Sequence, residues 1–292
     1  MAITLRNSKV AVVGLGAIGS PVAVNLAKKG VTVEVWNRSK EKCANAIAAG
    51  ATEVSELENI DSAIVLTALP DLSQVETLLA SGLNKALKSG DFLVVMGTVS
   101  PVAIKALGRS LSSRGVHLVD APVSGGDVGA QNGTLSIMVG GTEEEFNALL
   151  ETFYKVGSTI KHLGPLGAGE MAKACNQIVV AVTLSALAEA ITLGRKAGLD
   201  TETLIEILSG GLANSQVLQV KKEKILSNNY APGGSAAFQL KDLNFALEAG
   251  VATGTSLPTT AIVADLFRSL IEAGDGQLDH SSIVREIERR SN

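Results

Sequence analysis

Short apolar runs alternate with helical patterns through the first half of the chain. The apolar runs are rich in β-branched residues and have few polar interruptions, which is typical of parallel strands buried on both faces of a sheet. Strands are predicted at residues 9–14, 31–36, 62–69, 91–97, 116–122, 135–141 and 158–164, and helices at 17–29, 39–49 and 101–114. This alternation predicts a doubly wound α/β domain.

The pattern changes after Gly164. Apolar positions then recur with helical spacing, and no further β-branched run is long enough to predict a strand. The expected boundary lies near residues 165–169. The sequence therefore predicts an α/β domain over residues 1–165 and an all-α domain over residues 166–292, joined by a long helix that begins near Gly169.

Composition narrows the classes of protein. The 292 residues carry a formal net charge of -4, and 46% of them are hydrophobic. The mild acidity argues against a nucleic-acid partner, because phosphate binding needs concentrated positive charge. The longest apolar stretch, residues 178–194, contains Glu189 and is shorter than the roughly 20 residues of a membrane span. No targeting pattern is evident at the N-terminus, so we expect a cytoplasmic protein with no membrane partner.

The cysteines and histidines indicate neither a disulfide framework nor a metal site. Cys43 and Cys175 do not form a disulfide framework, and Cys175 is expected to be a small buried apolar residue. The three histidines are scattered, and none stands with a carboxylate or cysteine at metal-ligand spacing. The sequence predicts no metal site.

A glycine triplet points to a dinucleotide. Gly14, Gly16 and Gly19 in "VVGLGAIGS" (12–20) follow a predicted strand and open a predicted helix, with Ala17 and Ile18 in the turn. The glycines permit a tight turn, close approach of a pyrophosphate and close packing of helix on strand. A turn without a ligand is the alternative, but the βαβ setting favours a cofactor site.

The end of the second strand favours NADP(H) over NAD(H). Enzymes that use NAD usually place an acidic residue there to bind the ribose 2′-hydroxyl. Here Asn37 occupies that place, followed by Arg38 and Ser39, whereas Glu34 lies inside the strand. Loss of the carboxylate removes repulsion of a 2′-phosphate, and a guanidinium supplies charge-assisted donors. The alternative is that Arg38 is a solvated surface residue.

Two further segments carry candidate chemistry. Lys173 stands before a run without charge, residues 174–188. A lysine held near apolar surroundings can exchange a proton with a substrate, although a long lysine stem can also simply cover apolar surface. Ser124, Gly125 and Gly126 offer a hydroxyl and unobstructed backbone N–H groups that suit a carboxylate.

Four motifs occur in order: "GLGAIGSPVAVNLAKKG", "DAPVSGG", "GAGEMAKACNQ" and "KDLNFALEAG". With them the sequence resembles the β-hydroxyacid dehydrogenase family along nearly its whole length. The resemblance implies an N-terminal Rossmann domain, an all-helical C-terminal domain, an active site between them, and a homodimer or homotetramer.

The resemblance also implies roles for individual residues. Lys173 would be the catalytic lysine, and Ser124, Gly125 and Gly126 would hold the substrate carboxylate. Asn176 and Gln177 would lie on the substrate side. Thr98 would line the nicotinamide, Lys241 would reach towards the cofactor, and Leu69 and Pro70 would lie near its ribose.

The pattern departs from the family at several positions. Gln177 stands where several members have Asn, and Val95, Gly97 and Gly234 also differ. The expected activity is NADPH-dependent interconversion of a small β-semialdehyde acid and its β-hydroxyacid, with tartronate semialdehyde as the favoured substrate. An imine reductase of the same superfamily and a non-catalytic NADPH-binding module remain the alternatives.

Overall fold

The computed structural model describes residues 3–292. The chain divides into two compact units, the first ending at Lys173 and the second running from Ala174 to Asn292. This division falls inside one long helix, which begins in the first unit and continues into the second. The α/β unit followed by a helical unit confirms the predicted fold class.

The first unit is built on a nine-stranded, mostly parallel sheet. Its order is β3-β2-β1-β4-β5-β6-β8-β7, with β9 paired to β8. The strands are β1 Val10–Val13, β2 Val33–Trp36, β3 Thr52–Glu53, β4 Ile64–Thr67, β5 Phe92–Val95, β6 His117–Asp120, β7 Val123–Ser124, β8 Leu135–Gly140 and β9 Gly157–Gly164. All seven predicted strands are present, and the two unpredicted ones are too short to leave a pattern.

Helices follow most strands of the first unit. They are α1 Gly19–Lys28, α2 Ala44–Ala48, α3 Leu72–Leu78, α4 Asn84–Ala86, α5 Ala103–Ser112, α6 Gly126–Asn132 and α7 Glu143–Tyr154. The predicted helix at 39–49 forms as a 3-10 turn, Lys40–Cys43, that runs into α2. The predicted helices at 17–29 and 101–114 are α1 and α5.

Both faces of the sheet are buried. Val10 and Val12 of β1 pack into one apolar core, whereas Ala11 and Val13 pack into the other. Because side chains alternate across a strand, a strand covered on both faces needs apolar residues at every position. This explains the near-continuous apolar runs in the sequence.

The second unit is helical. It contains most of α8 Ala168–Lys196, then α9 Thr201–Gly210, α10 Gln216–Leu226, α11 Ala236–Thr253, α12 Pro258–Leu270 and α13 Ile283–Arg290. Its core is lined by apolar residues from each of these helices. The side chains of Asp200, Ser215 and Ser235 each accept a backbone N–H in the first turn of the helix that follows, and so cap that helix.

Helix α8 is longer and more apolar than the sequence pattern suggested. It has 29 residues, and by length and composition alone it could cross a membrane. Half of its most apolar window is buried, and Ala181, Leu184 and Ile191 belong to the core of the second unit. A core helix passes the same test of length and hydropathy, so this feature is weak evidence for a membrane span.

The expectation for Cys175 is wrong. Cys175 was expected to be a small buried apolar residue, but it is exposed. Val179 and Leu193 are also exposed, at 65% and 73%. Absence of charge therefore marked an apolar helix without indicating which of its faces is covered.

Candidate active site

The glycine loop lies where the order of strands reverses. Strand β1 pairs with β2 on one side and β4 on the other, so the loops that follow β1 and β4 diverge at the carboxyl edge of the sheet. Gly14 has φ +91°, and a Cβ there would lie 2.7 Å from Leu69 Cδ2. A Cβ on Gly19 would overlap the Gly14 carbonyl oxygen. Both positions require glycine for packing.

Gly16 is different, because it faces open space. A Cβ on Gly16 would meet no atom within 4 Å, and Gly16 and Ala17 are exposed. Helix α1 begins at Gly19 after Ile18, and no side chain in the described part of the chain caps it. Uncapped N–H groups at a helix start bind anions, so these residues fit the pyrophosphate of a dinucleotide.

Asn37 holds two loops of this site together. Its Oδ1 accepts the backbone N–H of Leu15 at 2.8 Å, and its Nδ2 donates to the Ser39 carbonyl oxygen at 2.9 Å. The amide thus fixes the glycine loop against the turn after β2. Sequence reasoning predicted Asn37 as a cofactor contact, and the structure adds this positioning role.

Arg38 is exposed, and across residues 3–292 no hydrogen bond or ion pair engages its guanidinium. The neighbouring Lys40 instead donates to the carbonyl oxygens of Val54 and Ser55, at 3.3 and 2.9 Å. Arg38 is therefore available to a ligand at the turn where a ribose 2′ substituent is expected.

The loops after β4 and β5 lie next to each other. Leu69 and Pro70 follow β4, and Thr98 follows β5; all three are partly exposed. A Cβ on Gly97 would overlap the Leu69 carbonyl oxygen. The departure at Gly97 therefore lets these two loops approach closely.

Asp120, at the end of β6, is a site residue that sequence reasoning missed. Its carboxylate accepts the backbone N–H groups of Gly167 and Glu170, each at 2.7 Å, and it is fully buried. Burial raises the pKa of Asp120 above its ordinary value, and these N–H donors oppose that rise. Asp120 fixes the start of α8, the helix that carries Lys173.

Lys173 lies on the second turn of α8 and is 8% exposed. Glu170, one turn earlier, is 1% exposed and accepts the backbone N–H of Val99 at 3.0 Å. No local pattern indicates this contact, because Glu170 and Val99 are far apart in the chain.

The predicted carboxylate-binding segment follows Asp120 closely. Ser124 pairs with Ser136 of β8, and Gly125 and Gly126 have φ +121° and +63°. Both glycines are exposed, and a Cβ on Gly126 would meet nothing within 4 Å. Successive N–H groups in such a turn can form an anion-binding concavity.

In the second unit, both ends of the Gln177 side-chain amide form hydrogen bonds. It is buried, its Nε2 donates to Asp242 Oδ2 at 2.7 Å, and its Oε1 accepts from Asn176 Nδ2 at 2.9 Å. Asn176 is partly exposed. Lys241 Nζ lies 3.2 Å from Asp242 Oδ1. Asp242 and Lys241 are adjacent on α11.

Two of the histidines, His117 and His162, contact structural partners in the first unit. His117 Nδ1 lies 2.8 Å from Glu145 Oε1, and His162 Nε2 lies 2.7 Å from the Gly141 carbonyl oxygen. Both line a cavity of about 620 Å³ that contains none of the predicted site residues. Between residues 3 and 292, no group of three or more His, Cys, Asp or Glu is arranged to hold a metal.

Known families match both parts of the chain. Residues 9–164 match the NAD binding domain of 6-phosphogluconate dehydrogenase. Residues 167–287 match the NAD-binding family of NADP-dependent 3-hydroxyisobutyrate dehydrogenase. A 2-hydroxy-3-oxopropionate reductase of Escherichia coli is 37% identical over 97% of this chain and 98% of the relative.

The chain belongs to the β-hydroxyacid dehydrogenase family.

Other relatives agree with this assignment. A 2-(hydroxymethyl)glutarate dehydrogenase of Eubacterium barkeri is 36% identical over 97% of this chain and 96% of the relative. The crystal structure of a 3-hydroxyisobutyrate dehydrogenase from Salmonella typhimurium superposes with a TM-score of 0.89 at 25% identity, covering 96% of this chain and 99% of that one. The protein is thus an NAD(P)-dependent β-hydroxyacid dehydrogenase that acts on a small molecule with a nicotinamide cofactor.

We predict opposite effects for alanine at two glycines of this dehydrogenase. Gly16→Ala should leave the melting temperature nearly unchanged but weaken dinucleotide binding, because its Cβ would fill the open cradle. Gly19→Ala should destabilise the fold by about 1–3 kcal/mol, because its Cβ would overlap Gly14. Thermal unfolding and NADPH fluorescence titration measure the two effects. Equal losses of stability in both variants would contradict this account.

Proposed function

We propose that this dehydrogenase uses NADPH to reduce tartronate semialdehyde to glycerate. The substrate is the 2-hydroxy-3-oxopropionate named in the Escherichia coli relative. The observation that carries the catalytic part is the placement of Lys173, buried on a helical turn that Asp120 and Glu170 fix through backbone N–H groups. A preorganised cation is what the reduction of a carbonyl requires.

The proposed chemistry assigns one role to each group. The nicotinamide, when bound, supplies hydride to the aldehyde carbon. The Lys173 ammonium stabilises the negative charge that develops on the aldehyde oxygen and donates the proton. In the reverse direction neutral Lys173 accepts the proton of the alcohol. Ser124, Gly125 and Gly126 bind the carboxylate and so fix the orientation of the carbonyl.

We expect Lys173→Ala to lower kcat/KM by about 10²–10⁴-fold, because it removes the proton donor. The dissociation constant for NADPH should change little. Initial rates of NADPH oxidation with tartronate, methylmalonate and succinic semialdehydes and with glyoxylate measure the loss and rank the substrates. Lys196→Ala, in the last turn of the same helix, is the matched control.

Full activity of Lys173→Ala would refute the role of Lys173. A preference of the wild-type enzyme for another aldehyde would refute tartronate semialdehyde as its substrate.

We infer NADPH as the preferred cofactor from the turn after β2. Arg38 at this turn is exposed, and no hydrogen bond or ion pair engages it among residues 3–292, whereas Lys40 donates to two carbonyl oxygens. Residues 37–39, directly after the strand, contain no carboxylate, and Glu34 inside the strand accepts the N–H of Asp61 and the hydroxyl of Ser62. A guanidinium there favours a 2′-phosphate over a 2′-hydroxyl.

Arg38→Leu should lower the preference for NADPH over NADH by about 10–100-fold, because charge-assisted hydrogen bonds contribute ~1.5–3 kcal/mol. The ratio of kcat/KM for the two cofactors measures it. Lys40→Met removes a nearby charge that is engaged elsewhere, so it should change the ratio by less. An effect of Lys40→Met equal to that of Arg38→Leu would assign the preference to the local field instead.

We propose that a second copy of this chain covers the exposed face of α8. Cys175, Val179, Ala186 and Leu193 recur at helical spacing and are exposed. This face is apolar except for the exposed Glu189, and exposed apolar patches of this kind mark interfaces.

Light scattering after gel filtration should therefore give at least a dimer for the wild-type chain. Val179→Glu combined with Leu193→Glu should shift it to a monomer, because two charges would be buried unpaired. Val128→Glu, at an exposed apolar residue of the first unit, is the control and should leave the mass unchanged. A monomeric wild-type chain would refute this assembly.

A further inference from the structure

Glu170 joins the loop after β5 to the first turn of α8. Its Oε2 accepts the backbone N–H of Val99 at 3.0 Å. Both residues are 1% exposed. A carboxyl group buried to this degree requires hydrogen-bond partners, because desolvation alone would be unfavourable. The contact is therefore a fixed cross-link between segments distant in sequence.

The turn that carries Glu170 has little freedom of its own. Asp120 accepts the N–H groups of Gly167 and Glu170 from the side of β6. On the side of β8, Gly169 packs so closely that a Cβ would overlap the Met138 carbonyl oxygen. A displacement of Val99 can therefore not be absorbed by this turn.

The cross-link connects two residues with predicted roles. Thr98, predicted to line the nicotinamide, directly precedes Val99. Lys173 follows Glu170 by three residues, so their side chains project from the same face of α8. Glu170 thus connects the loop that contains Thr98 to the helical turn that carries Lys173, the predicted proton donor.

We propose that Glu170 is a positioning residue for the reduction: it sets the distance between the Thr98 loop and the turn that carries Lys173. This inference rests on the proposed function. Glu170 Oε2 accepts a neutral backbone N–H, and another acceptor oxygen at the same place can accept it too. Glutamine at this position keeps such an oxygen, whereas leucine keeps the approximate volume and loses it.

The test compares Glu170→Gln and Glu170→Leu with the wild-type enzyme. Glu170→Leu should lower kcat by about 10–100-fold, because small misplacements of reacting groups have effects of this size. Its KM for the aldehyde should stay within about threefold of wild type, since the residues predicted to bind substrate are untouched. Glu170→Gln should restore kcat to within about threefold.

Asp91→Ala is the matched control. Asp91 is fully buried, directly precedes β5, and accepts the backbone N–H of Lys88 at 2.9 Å. Its removal should lower the melting temperature without lowering kcat measured below that temperature. A fall of kcat in Asp91→Ala equal to that in Glu170→Leu would reduce Glu170 to a structural role and overturn the inference.

Hydrogen exchange at the Val99 amide gives a readout that needs no turnover. Exchange should be faster by at least about tenfold in Glu170→Leu and near wild type in Glu170→Gln. Equal exchange in all three proteins overturns the inference, as does unchanged kcat in Glu170→Leu. Equal loss of kcat in both variants overturns it too, because the charge would then be what matters. Wild-type enzyme that turns over none of the four aldehydes refutes the proposed function instead, and Val99 exchange still tests the cross-link.

Discussion

The hydrogen bonds of a buried carboxylate at the end of β6 are the interaction on which the placement of the start of α8 depends. Asp120 has no exposed surface, and its two oxygens accept the N–H groups of Gly167 and Glu170. Those N–H groups lie at the start of α8, where the helix dipole also favours negative charge. Burial raises the Asp120 pKa and these donors oppose it. The N–H groups at the helix start and the carboxylate therefore stabilise each other. Burial of either group without the other would leave it without a hydrogen-bond partner.

This packing is possible because glycines, which have no side chain, lie beside Asp120 and the first turn of α8. A Cβ on Gly140 would overlap the Asp120 carboxylate, and one on Gly169 would overlap the Met138 carbonyl oxygen. The glycine loop after β1 is packed in the same way at Gly14 and Gly19, where a Cβ would lie too close to neighbouring atoms. At this edge of the sheet, main chain packs directly on main chain, and partly buried polar side chains such as Asn37 accept the backbone N–H groups. A site built this way holds its donors in place before any ligand arrives.

The sequence predicted what local patterns encode. All seven β-branched runs are strands, and the glycine triplet forms a turn between β1 and α1 with Gly16 open to a ligand. The contacts of Asp120 and Glu170 could not be predicted from the sequence, because their partners lie 47 and 71 residues away. Only the packed fold brings them together. Cys175 was placed wrongly because hydropathy measures how apolar a helix is and not which face is covered. Tertiary contacts decide both kinds of feature.

Gln177 shows how one departure from the family pattern changes the chemistry available. Its longer side chain reaches Asp242 with Nε2, while its Oε1 accepts from Asn176. Both ends of the Gln177 amide are thus engaged within the second unit, and its contact with Asn176 holds that side chain in place. The Asn176 amide nitrogen has a second N–H beyond this contact, and its carbonyl oxygen can accept a hydrogen bond. In the first unit, Gly125 and Gly126 have positive φ and are exposed, and successive backbone N–H groups in such a turn can form an anion-binding concavity.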